Sequence, residues 1–170
     1  NTAMVRYGDN IYASDYVCTD LPAADLEVEK EPFGGPTDNG DGTWTQVYGI
    51  TVHNDGDGYA TYDLVDEPNF APIFEIVSVS YSQGDDLPAV VDPWTGMVEL
   101  ALDEAIGAGQ THSYTVSINF TLPDLEELED SPTDVGWYCE FDGGPLNEHG
   151  LLNYVYLTVG GQQWLTDLGP

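Results

Sequence analysis

The chain predicts an all-β protein, an immunoglobulin-like antiparallel β-sandwich. Three observations lead there. Apolar residues recur with a period of two in seven short runs, turn-forming clusters separate those runs, and no segment sustains a helical period. Seven or more short strands with regular turns are the pattern of such a sandwich. The 170 residues are 41% hydrophobic and 12% aromatic, enough for one ordinary domain with a real core.

The runs follow in order. In Leu26–Lys30, Leu26, Val28 and Lys30 share one face, because successive side chains of a strand point to opposite sides. Tyr48, Ile50 and Val52 alternate with Gly49, Thr51 and His53, and Tyr62, Leu64 and Asp66 alternate with Asp63 and Val65. Val77, Val79 and Tyr81 form the next face, then Val98, Leu100 and Leu102. Tyr114, Val116, Ile118 and Phe120 alternate with Thr115, Ser117, Asn119 and Thr121; Asn153, Val155, Leu157 and Val159 close the series. Turns are marked by Asp38–Gly42, Asn54–Gly58, Gly84–Asp86, Gly107–Gly109 and Asp142–Pro145. Pro123–Asp130 carries the single helical hint, Leu125 and Leu128 three apart. The domain is expected over residues 24–160. Residues 1–23 form an N-terminal extension with strand-like Met4–Tyr7 and Ile11–Ala13, a candidate intersubunit strand. Residues 161–170 form a C-terminal tail bearing Trp164, Leu165 and Leu168.

Charge narrows the class of function. There are 31 Asp and Glu against 2 Lys and Arg, a formal net charge of −29. Such repulsion favours solubility and disfavours nucleic acid or an anionic membrane as partner. A solvated acidic coat, a salty habitat and cation binding each account for the bias. No run has the length of a transmembrane helix. The start at Asn1 without Met predicts a processed, secreted chain. The two cysteines, Cys18 and Cys139, predict one disulfide and an oxidising compartment; closing so long a loop stabilises by roughly 4–5 kcal/mol in the chain-entropy model.

Lys30 is the only lysine, and the alternation points it at the core. An amine there is costly unless it is paired or chemically consumed. The same phase turns Asp66 and Asn153 inward. If the first and last core strands pair, amine, carboxyl and carboxamide converge. A desolvated lysine loses its proton more readily and a buried carboxyl keeps its own. The neutral amine then attacks the carboxamide carbon while the acid polarises the carbonyl and shuttles a proton. The product is a Lys30–Asn153 isopeptide bond promoted by Asp66, formed once. A buried Lys30–Asp66 ion pair without a bond, and simple exposure of Lys30 at the strand end, are the alternatives.

The stretches Ala24–Lys30, Asp38–Trp44, Val47–Asn54, Tyr62–Asp66 and Gly150–Asn153 resemble the Ig-like repeat domains of bacterial surface proteins, especially actinobacterial ones. The resemblance implies an adhesin or pilus-like stalk. Relatives there carry acid-promoted Lys–Asn isopeptides, and the matching positions are Lys30, Asn153 and Asp66. This chain departs from that pattern in its acidity and in having no sortase-type Leu-Pro-x-Thr-Gly signal.

Calcium is the second chemical candidate, through Asp55, Asp57, Asp85 and Asp86 with Asp38 and Asp41 at loop tips. None has EF-hand spacing, and Asx turns explain these residues without a metal. His53, His112 and His149 show no paired ligand spacing, and there is no Gly-x-Ser-x-Gly elbow or P-loop. Asn119-Phe120-Thr121 fits the N-glycosylation pattern on an outward-facing asparagine. The expectation is an extracellular, non-enzymatic structural protein of a surface stalk, filament or surface layer, without cofactor and self-associating head to tail. The rival is an adhesin or carbohydrate-binding module using loop carboxylates and Trp, with calcium and a glycan ligand.

Overall fold

The computed structural model describes residues 2–7, 10–16, 18, 20–71, 74–84, 89–91, 96–122, 150–160 and 162–169. The strands are β1 (Thr2–Tyr7), β2 (Asn10–Tyr16), β3 (Leu26–Pro32), β4 (Thr37–Asp38), β5 (Thr43–Asn54), β6 (Ala60–Phe70), β7 (Glu75–Gln83), β8 (Ala89–Val91), β9 (Val98–Ile106), β10 (Thr111–Thr121), β11 (Leu151–Val159) and β12 (Gln162–Gly169). One sheet runs β3-β5-β10-β7-β8, with β4 also on β5; the other runs β12-β11-β6-β9. The two face each other as an antiparallel β-sandwich. All seven sequence runs are strands within it. β1 and β2 pair with each other as a separate hairpin.

The core is what alternation requires. Tyr48, Ile50, Val52, Tyr114, Val116 and Ile118 from one sheet meet Tyr62, Leu64, Val155 and Leu157 from the other, each almost fully buried. Phe70, Phe74 and Phe120 close one end edge to face, with ring centroids 5.4–6.5 Å apart.

Two expected core positions fall outside, both at bulges. Leu102 is exposed although Val98 and Leu100 are buried. Between Tyr62↔Glu104 and Leu64↔Ala101, Leu102 and Asp103 together oppose Asp63. Asp103 adopts φ 49° and donates its N–H to Asp63 Oδ1 at 2.8 Å. The extra residue shifts the phase and turns Leu102 out. Val77 is likewise exposed, where the β7–β10 register shifts between Asn119 and Phe120.

Two expectations about strand order change. β3 and β11 do not pair: β3 lies beside β5, and β11 lies between β12 and β6. The residues from 161 on are not simply a tail. Gly160, at φ 56°, turns the chain back, and β12 adds to β11 as an edge strand. β6 runs on past Asp66 to Phe70, which holds Asp66 within the strand. Pro68 is tolerated there because the β9 pairing ends at Asp66↔Val98, leaving no partner on that side among the described residues.

Asn54 ties the loops at the other end. It is fully buried. Its Oδ1 accepts from the N–H groups of Asp25 and Gly56, and its Nδ2 donates to the carbonyls of Gly58 and Gly107, all at 2.9–3.0 Å. Gly56 allows the close approach, since a Cβ there would fall 2.3 Å from the Ala23 carbonyl oxygen. Removing one amide therefore orphans several buried backbone groups. Asn54→Ala is expected to cost about 3 kcal/mol or more in urea denaturation, with the slope unchanged.

Candidate functional site

Three polar side chains expected to face inward do so. Lys30 is 4% exposed, and Asp66 and Asn153 are 0% exposed. They come from three strands. Lys30 stands on β3, opposite Ile50 of β5. Asp66 stands on β6, opposite Val155 of β11, and Asn153 is two residues back from Val155 on β11. Asp66 and Asn153 are thus near neighbours on one sheet, and Lys30 reaches Asp66 across the sandwich.

Each contact has a distinct job. Lys30 Nζ donates to Asp66 Oδ1 and, at 3.1 Å, to the Tyr154 carbonyl. The ammonium also lies 5.2 Å from the centroid of the Tyr48 ring. Tyr48 in turn donates its hydroxyl to the Leu151 carbonyl at 2.5 Å, pinning the start of the strand that carries Asn153. The sequence reading missed Tyr48. Its inward phase was visible, but not that it serves Lys30 and β11 together.

Burial pushes the Asp66 carboxyl above its ordinary value of 3.8, opposed by the Lys30 charge and hydrogen bond and then by the Asn153 amide. Asn153 is close enough to act on that carboxyl, yet among the described residues neither its Nδ2 nor its Oδ1 meets hydrogen-bond geometry with a partner, and Asp66 Oδ2 has none either. Asn54, also fully buried, satisfies its whole amide. A buried carboxamide left unpaired costs about 1–3 kcal/mol and requires an explanation. Here that group neighbours the Asp66 carboxyl, which itself holds the Lys30 amine.

The remaining sequence candidates lie elsewhere. Asp38 Oδ1 accepts from the Gly40 N–H, and Asp41 Oδ1 accepts from the Thr43 N–H and hydroxyl. The Thr43 hydroxyl and amide hold the Asp41 carboxyl below its usual value. Asp55 sits 2.9 Å from His53 Nε2, and Asp57 is exposed. Among the described residues, no group of three or more His, Cys, Asp or Glu is placed to hold a metal ion. Asp85, Asp86, His149 and the Pro123–Asp130 segment lie outside the described residues. Cys18 is exposed, without a disulfide among the described residues, and Cys139 lies outside them. Asn119 faces outward as expected, its amide held by the Thr45 and Ser78 hydroxyls.

A second polar cluster joins the sheets at the far side of the core. Tyr62 and Tyr114 share a hydrogen bond at 2.6 Å, His112 Nδ1 lies 2.8 Å from the Tyr62 hydroxyl, and Gln83 donates to the Tyr114 hydroxyl at 3.2 Å. Burial raises both phenols above their ordinary range. These hydroxyls serve packing, because each is bonded within the cluster.

The Asp66 shift fixes a pH dependence in a chain that keeps Lys30 and Asp66 without a bond. The folded pKa lies above the unfolded one, so the folded state binds more protons through that window. Stability contributed by the group is full below the ordinary Asp range and falls as pH rises through the raised value. Urea midpoints of Asn153→Ala should therefore fall as pH rises upward from about 4, and Asn153→Ala/Asp66→Asn should lose that part of the slope. Tyr48→Phe, which orphans the Leu151 carbonyl, should cost about 1–2 kcal/mol in the same assay. No family model matches the chain, and neither does any curated protein, so these residues alone carry the functional reading.

Proposed function

We propose that this chain is an extracellular structural module, a building block of a surface stalk, filament or surface layer, locked internally by an isopeptide bond between Lys30 and Asn153. The observation that carries this reading is the buried convergence of Lys30, Asp66 and an Asn153 amide without hydrogen-bond partners.

The chemistry balances within the three side chains. Proton transfer from Lys30 to Asp66 leaves a neutral amine and a protonated acid. Lys30 Nζ attacks Asn153 Cγ, and Asp66 donates its proton toward the carboxamide oxygen. As the tetrahedral carbon collapses, one proton of the attacking nitrogen passes through Asp66 to the original nitrogen, which leaves as ammonia; the proton lent to the oxygen returns to Asp66, and the new amide keeps one N–H. One C–N bond forms, one breaks, and Asp66 ends ready to accept from the new amide N–H. No cofactor enters the step, and it happens once per chain.

The bond's position fits a mechanical role. It joins β3 to β11 across the two sheets, which backbone pairing alone does not connect. A module pulled from its ends would have to break a covalent link before the sheets part. The separate β1–β2 hairpin supports the same reading. A lone two-stranded hairpin is marginal in water and gains from an added surface, such as a sheet edge of a neighbouring subunit. Arg6, on that hairpin, is one of two basic residues in a strongly acidic chain.

Intact mass tests the bond. The protein should be lighter than its sequence by one ammonia, beyond any hydrogens lost to a disulfide. Lys30→Ala, Asn153→Ala and Asp66→Ala should each restore that mass. A native protein at its full sequence mass would end the proposal. Deleting residues 1–16 should leave a folded monomer and abolish polymers seen by sedimentation in high salt; unchanged polymers would remove the hairpin from the assembly.

A further inference from the structure

The structure assigns a second site to the outer face of the β3-β5-β10 sheet: a groove for a neutral saccharide, centred on Phe33. This site uses neither Trp nor loop carboxylates.

The groove holds about 480 Å³ and is lined by Phe33, Glu29, Glu31, Thr51, Ser113 and Thr115. Phe33 is 57% exposed, a large apolar ring on the surface of a very acidic protein. Its backbone N–H is fixed to the Val47 carbonyl at 2.8 Å, and the ring lies over Gly49. A Cβ at position 49 would fall 2.5 Å from the ring, so glycine there lets the ring approach the sheet closely. The tip of the ring is thereby packed against Gly49 while more than half of the residue stays exposed.

The polar groups around the ring follow from the register. Glu31 stands opposite Gly49, and Thr115 opposite it on the other side. Glu29 and Ser113 flank Thr51 in the same way. Carboxylates that accept and hydroxyls that both donate and accept thus border an apolar platform. A pyranose ring has the complementary surface, an apolar face of C–H bonds edged by hydroxyls.

Charge selects among saccharides. The stretches Thr43–Val52, Ser113–Thr121 and Ser78–Ser82 contain no Asp, Glu, Lys or Arg, although the chain carries −29. They lie side by side in β5, β10 and β7 and make an uncharged lane running away from Phe33. Glu29 and Glu31 at its border repel sulfated, sialylated or uronic-acid sugars. A neutral hexose chain fits ring, border and lane together.

The test is a titration of the isotopically labelled full chain, followed by amide NMR shifts, with hexasaccharides of neutral glucan, mannan and galactan, and with sialyllactose as the anionic control. At least one neutral probe should shift Glu31, Phe33, Thr51, Ser113 and Thr115 at millimolar concentration, and sialyllactose should not. Phe33→Ala should weaken binding about tenfold, the loss of one stacking contact. Thr115→Glu, which adds charge without emptying the core, should abolish it. No shifts with any neutral probe, shifts centred elsewhere, binding untouched in both variants, or concentration-dependent shifts of this face without sugar, meaning a second copy occupies it, would each overturn the assignment.

Discussion

A lysine that cannot reach water governs this structure. Lys30 sits among apolar residues, where an isolated charge would shift its equilibrium toward neutrality or unfold the chain. Asp66 answers it from the opposite sheet. Such a pair is a weak source of net stability, because desolvating both groups offsets most of their attraction. Breaking it by deleting one partner is another matter, costing about 3–5 kcal/mol for the charge left behind. The pair therefore specifies how the two sheets must face each other more than it strengthens their contact. Tyr48 extends the constraint, with its ring beside the amine and its hydroxyl on β11.

Asn153 adds an unsatisfied amide to this constraint. Close packing leaves buried polar groups few ways to go unpaired, and Asn54 shows how fully this fold satisfies an amide when the amide is structural. An unpaired amide next to a lysine–aspartate pair has the composition of a reactant. Condensation would remove the amide nitrogen, neutralise the lysine and leave one hydrogen-bonding amide. The acidity of the surface bears on the same point from outside. A chain at −29 is stretched by its own repulsion, and a covalent tie between sheets resists that stretch at any salt concentration.

Much of this was legible in the sequence, for identifiable reasons. Period-two alternation is a local property, so Leu26–Lys30, Tyr62–Asp66 and Asn153–Val159 declared their inward faces before any pairing was known. What alternation cannot give is which strand lies beside which. The Lys30 and Asn153 strands do not pair, yet Lys30 still meets Asp66, because inward faces of opposed sheets converge without being neighbours. Leu102 and Val77 were misread because a bulge inserts one residue and inverts the phase. The last strand was missed because its own alternation is broken where the β11–β12 register shifts between Val155 and Tyr156. Tyr48 and Phe33 were invisible as functional residues, since their roles arise from what lies across a sheet from them.

The most direct measurement uses the fact that Lys30 is the only lysine in the chain. The denatured, reduced protein is treated with an amine-reactive reagent and mapped by mass spectrometry. The account predicts a label on the N-terminal amine and none on Lys30, because that nitrogen is already an amide to Asn153. Quantitative labelling of Lys30 would contradict it.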